Sequence, residues 1–126
     1  MIAPMNVAKC AFAATKLSEK LVFVCGGYDG NSRVDTMEIY DVDLDIWSII
    51  NQKLDVKMSN SACCSPNSKE VIILGGGTNQ GFSKEVYKFN IDTGEMDICT
   101  KMENGRDLRN KVILLNNQVY TIGVSD

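Results

Sequence analysis

Two stretches of this chain are variants of one pattern set 49 positions apart. Cys25-Gly26-Gly27, then Met37-Glu38-Ile39-Tyr40-Asp41 and Trp47, returns as Gly75-Gly76-Gly77, then Val86-Tyr87-Lys88-Phe89-Asn90 and Met96. A third start follows at Val119-Tyr120-Thr121-Ile122-Gly123. A period of this length means that each unit is one supersecondary block. Such a block cannot bury its apolar face alone and stacks on a copy of itself.

Strand signals come in short bursts between turn residues. In the first unit, Cys10–Ala14 reads as a strand of small residues and Leu17–Lys20 as a turn. Leu21–Cys25 is continuously apolar, so both of its faces are expected to be covered. Tyr28–Arg33 is a polar loop. From Val34 to Tyr40 the period of two puts Met37 and Ile39 on one face and Glu38 and Tyr40 on the other. Asp41–Asp45 is a turn and Ile46–Ile50 a fourth strand. The second unit repeats this order with strands at Ser61–Cys64, Val71–Leu74, Glu85–Asn90 and Glu95–Thr100, and a loop at Thr78–Ser83. The third gives Lys111–Leu115, a turn at Asn116-Asn117, and Val119–Ile122. Four short strands in about 49 residues is the meander of a propeller blade. In both full units a double glycine lies 13 residues before an aromatic followed by Asp or Asn, and seven more lead to a large apolar residue.

On these residues the chain resembles the Kelch repeat family. The matching elements are Gly26-Gly27-Tyr28-Asp29-Gly30, Glu38-Ile39-Tyr40-Asp41 and Trp47, then Gly75-Gly76, Val86-Tyr87-Lys88-Phe89-Asn90 and Gly94. Pro4-Met5 and Val56-Lys57-Met58 resemble the segment leading into a blade's first strand. Met96 stands where the family has Trp, and the third unit has one glycine, Gly123. The resemblance implies an all-β Kelch-type β-propeller of four-stranded antiparallel blades, incomplete here. Blade 1 covers about 5–51, blade 2 about 56–101 and a half blade about 107–124, within one Kelch-repeat segment, 1–126. The glycines are expected to turn with positive φ where backbones crowd together. Tyr40, Trp47 and Phe89 are expected to fill the space between blades, with Trp47→Ala costing roughly 3–5 kcal/mol. Propellers close with about 4–8 blades, so the remaining blades are expected to come from the full-length chain or elsewhere.

Composition narrows the chemistry. The chain has 126 residues, a net charge of −3, no histidine and only short apolar runs. Lys and Arg are scattered, which speaks against nucleic acid or an anionic membrane as partner. No run approaches a membrane span, and Met1–Met5 is no secretory signal. Without histidine the commonest general base, the usual triads and most zinc and copper sites are missing. Asp41, Asp43 and Asp45 open like a calcium loop, but Ile46 and Gln52 stand where Gly and Glu are needed. Gly75-Gly76-Gly77 precedes a loop and a strand instead of the helix that a phosphate cradle uses. Five cysteines, with Cys25 inside an apolar run and no glycosylation sequon, point to buried reduced thiols in a cytosolic or nuclear protein. Vicinal Cys63 and Cys64 point to opposite faces of a strand. No cofactor, metal or catalytic residue is expected.

What remains is loop surface. The resemblance implies that loops between second and third strands line one rim. Tyr28, Asn31, Ser32 and Arg33 can stack, hydrogen-bond and pair with a carboxylate. Phe82 is an aromatic without an evident core partner. Lys9 and Arg109 lie near the starts of first strands, where a contact with the same rim is allowed. The expectation is a non-catalytic, cytoplasmic module that binds another protein or peptide segment. Kelch resemblance implies uses such as ubiquitin-ligase substrate receptors and actin or cytoskeletal scaffolds. The alternative is a piece of a propeller enzyme, sugar-processing or oxidase, whose catalytic groups lie in other blades.

Overall fold

The chain is described by a computed structural model at residues 4–6, 9–101, 106–107, 112–115, 118–121 and 124–125, with side chains at 4–6 and 9–100. Every regular element among them is a strand. In chain order these are β1 (Ala13–Lys16), β2 (Leu21–Cys25), β3 (Met37–Asp41), β4 (Ile46–Ile49), β5 (Ala62–Cys64), β6 (Glu70–Leu74), β7 (Gly77–Thr78), β8 (Gly81–Phe82), β9 (Glu85–Asn90), β10 (Met96–Lys101), β11 (Arg106–Asp107), β12 (Val112–Leu115), β13 (Gln118–Thr121) and β14 (Val124–Ser125). β1 to β4 form one antiparallel meander, and β5, β6, β9 and β10 form a second in the same order. β12 pairs with β13, and β11 with β14. β5 lies against β1 on one side and β12 on the other, so first strands run side by side. The architecture is that of propeller blades in an incomplete propeller, as the repeat predicts. Among the described residues no helix is long and apolar enough to cross a membrane.

First strands start later than their small-residue runs suggest. Ala11 and Asn60, 49 positions apart, both adopt left-handed φ, at 57° and 59°. A strand cannot pass through such a residue. Cys10 instead bridges to Tyr28, and Ser59 to Gly77, before β1 and β5 begin. Val34 is likewise drawn out of β3 by a bridge to Met58. The segment 78–83, read as loop, contains the small β7–β8 hairpin.

Registry sorts the residues of the first sheet onto two faces. Cys25 pairs with Ala13 and Met37, and Phe23 with Ile39. This face packs on Cys63, Val71, Ile73, Tyr87 and Phe89 of the second sheet, with Leu54 and Met58 of the connection between them. Phe23 and Phe89 meet at 6.3 Å between ring centroids. Phe89 thus fills the inter-blade space as expected. Tyr40 and Trp47 do not lie between the two sheets. They pair across β3 and β4 on the face turned away from the second sheet, with ring centroids 4.9 Å apart. Trp47 sits on the outermost strand and is half-buried, whereas Tyr40 is buried. The Tyr40 hydroxyl donates to Asp45, whose hydrogen bond pushes the Tyr40 pKa up to about 12. Asp41 accepts from the Leu44 N–H. The acidic run is therefore occupied in holding its own turn.

The two sheets join through backbone. Gly27 N–H donates to Met58 O at 2.8 Å, Met58 N–H to Val34 O at 3.2 Å, and Asn60 N–H to Ala11 O at 2.8 Å. Gly26 has φ +66°, and a Cβ there would stand 2.6 Å from Met58 O. No side chain fits that gap.

Three stability outcomes follow, each read by denaturant melting of the intact protein. Gly26→Ala should cost about 2 kcal/mol or more, from left-handed strain plus displacement of the Met58 carbonyl. Ala11→Asn, which copies Asn60, should instead gain about 0.5–1 kcal/mol, because Asn tolerates this φ. Trp47→Ala should cost about 1–2 kcal/mol, the scale of a half-exposed cross-strand aromatic pair, and not the 3–5 kcal/mol expected of a fully buried ring.

Candidate functional site

In an antiparallel meander, the link between second and third strands and the link to the next blade emerge at the same end of the sheet. That end gathers residues 28–36, 76–84 and the connection 50–58. The first loop is built on Asp29. Its carboxylate accepts the N–H groups of Asn31 and Ser32, each at 2.9 Å, and its own N–H donates to Ser32 O. Those N–H groups hold the Asp29 acid below the ordinary carboxylate range. In the second loop Thr78 does the same work, 49 positions on. Its Oγ1 accepts from Gln80 N–H and donates to Gly81 O.

The loops are tied to each other by Arg33. Its Nε donates to Ser59 Oγ at 3.1 Å and an η-nitrogen to Asn79 Oδ1 at 3.3 Å. The guanidinium lies against Gly77, where a Cβ would come within 3.3 Å of it. Arg33 is half-buried and spans from the first blade to the hairpin of the second. Around it Tyr28, Asn31 and Ser32 are exposed, with 40% of Tyr28 accessible. The Tyr28 backbone is pinned to Cys10 by reciprocal hydrogen bonds, so its ring projects from a fixed base. Phe82 is half-buried. It lines a shallow groove of about 360 Å³ with Val56, Thr78, Gln80, Lys84 and Tyr87. A neighbouring hollow of about 280 Å³ shares Val56, Thr78 and Gln80 and adds Lys57 and Asn79.

Lys9 is placed elsewhere. Its side chain has no solvent exposure and points to Glu38, likewise at 0%, with Nζ 3.7 Å from Oε2. Nζ also donates to Thr36 Oγ1 at 3.1 Å, and Glu38 accepts from the backbone and side-chain nitrogens of Asn6. Burial draws the Lys9 ammonium below the ordinary lysine pKa, against the opposing pull of Glu38. Lys9 is therefore an interior residue and not part of the rim surface. Arg109 lies outside the described residues. The signal for the buried pair was present in the repeat. Lys9 and Glu38 occupy the positions of Met58 and Tyr87, both of which lie in the core. Val56 and Lys57 were missed as rim residues, whereas Asn79 lies in a loop expected to line the rim but was not singled out. An apolar Val56 between Asp55 and Lys57, in a segment without strand period, was the available hint.

Against known proteins, the profile of the Kelch motif matches residues 10–53. Kelch repeat-containing protein kel-10 of Caenorhabditis elegans is 30% identical over 91 residues, which is 68% of this chain and 15% of that protein. Kelch repeat and BTB domain-containing protein F47D12.7 of the same organism gives the same identity and coverage. Human Kelch-like protein 4 is 33% identical over 63 residues, 50% of this chain and 8% of that protein. This chain belongs to the Kelch repeat family. It spans about 15% of the length of the worm relatives it matches. Within a Kelch blade the matched span holds the Gly26–Gly27 turn, the Asp29 loop, Arg33 and the Tyr40–Trp47 pair.

The Lys9–Glu38 pair generates a double-mutant test. Lys9→Met should cost about 3–5 kcal/mol, because it leaves a buried carboxylate without its cation. Adding Glu38→Leu should recover most of that loss, since an uncharged pair, Met58 and Tyr87, is what the second blade already holds there. Melting of the single and double variants of the intact protein checks both.

Proposed function

We propose that this Kelch segment is a non-catalytic protein-interaction module that receives a segment of another protein across the rim formed by loop 28–33, the β7–β8 hairpin and residues 55–57. The observation that carries the reading is the Arg33 tie to Ser59 and Asn79, which makes two loops of different blades one prearranged surface. A surface ordered before contact spends less binding free energy on ordering. Exposed Tyr28, on the first-blade side, has the amphipathic character of an interface anchor. Asn31 and Ser32 offer side-chain hydrogen bonds, because their N–H groups are engaged by Asp29. Phe82 and Val56 offer an apolar recess.

The finer reading is a substrate receptor of the ubiquitin-ligase type or a cytoskeletal scaffold, in the cytoplasm. A relative whose name includes a BTB domain favours the first. On this reading, units at about 5–51, 56–101 and 107–124 are successive blades, and further blades of the full-length chain complete the ring.

The test separates contact from scaffolding. Tyr28→Ala combined with Asn31→Ala removes exposed groups and leaves Arg33 in place. Its affinity for a partner captured by the wild-type protein should fall roughly tenfold or more, at unchanged melting temperature. Undiminished affinity in the folded double variant would remove this loop from the interface.

A further inference from the structure

Two of the buried thiols face each other across the boundary between blades. Cys25 ends β2 on the face that carries Phe23, and Cys63 lies on β5 in the same core cluster. Their exposures are 0% and 4%, and the neighbouring Cys25, together with burial, pushes the Cys63 thiol up. Cys64 points to the other face of β5, as strand alternation requires. The repeat itself does not call for sulfur here. The position of Cys25 is filled by Leu74 in the second unit, and that of Cys63 by Ala14 in the first.

We propose that Cys25 and Cys63 form an oxidation site at which a peroxide closes a disulfide between the first two blades. One sulfur attacks a peroxide oxygen, the O–O bond breaks, and a sulfenic acid and one water result. The second thiol attacks that sulfur, the S–S bond forms, and the hydroxyl leaves as a second water. Two thiols lose two protons and two electrons, and hydrogen peroxide takes up both. Burial makes the first step slow, since the oxidant reaches the sulfurs only when the blades part. Once closed, the bond joins β2 directly to β5 beside the Gly27–Met58 hydrogen bond. It fixes the blade spacing on which the Arg33 tie depends.

The experiment treats the intact protein with hydrogen peroxide, alkylates remaining thiols under denaturing conditions, and maps peptides without reductant. A Cys25–Cys63 peptide pair, lighter than its parts by two hydrogens and separated by dithiothreitol, is expected. Oxidation should raise Tm by roughly 5–10 °C. Cys64→Ala should keep both effects and Cys63→Ala should lose both. Should Cys63→Ala not fold, the wild-type and Cys64→Ala maps decide alone. A Cys63–Cys64 linkage overturns the proposal. So does full oxidation of exposed Cys10 and Cys99 while Cys25 and Cys63 are both recovered as free thiols.

Discussion

The contact on which the rest of the structure depends is a backbone one. The carbonyl of Met58, on the way into the second blade, is pressed against the Gly26–Gly27 turn at the end of β2. The approach is close enough that a methyl group at Gly26 has nowhere to go. Neighbouring sheets are therefore joined by hydrogen bonds before any side chain contributes. The apolar faces then meet at a spacing set by main chain, and Phe23 and Phe89 fill what that spacing leaves. Each buried large side chain adds about 1.5–3 kcal/mol, but only because the seam holds the faces parallel.

Once the seam is fixed, the residues behind it can vary in kind. The second blade places Met58 and Tyr87 in its core, and the first places Lys9 and Glu38 at the same two positions. Charge replaces hydrocarbon at both positions together. A lone change at either would leave a buried charge unopposed. The loop caps show the same freedom, with Asp29 in one blade and Thr78 in the other each accepting the N–H two residues on. What the repeat conserves is a job at a position, and the chemistry is open wherever another group can do that job.

Much of the fold was legible because strand alternation and the 49-residue register are local signals. β2, β9 and the glycine turns lie where the pattern put them. The starts of β1 and β5 were not legible, because left-handed φ at Ala11 and Asn60 leaves no mark in an apolar or polar count. Trp47 does not reach the boundary between the two described sheets, for a different reason. Its size says that it packs on something, but only registry says that the something is Tyr40 on the outward face. At the rim, Tyr28, Asn31 and Ser32 are exposed as polar loop residues should be. Arg33 carries the same signature in sequence, and its reach to Ser59 and Asn79 depends on how two blades stack, which no single loop encodes. Lys9 was hidden by treating a lysine on its own and not alongside its register mate.

The Arg33 tie gives the rim a property that its own residues would not have. Because one end of this tied surface belongs to the first blade and the other hangs from the second, the distance between Tyr28 and the β7–β8 hairpin follows blade tilt. A swap of one core methyl group, far below the rim, would alter that tilt and so the spacing of the exposed groups above it. On the proposed reading, the rim's preference among partners would drift through repacking of the interior, with every exposed residue left untouched.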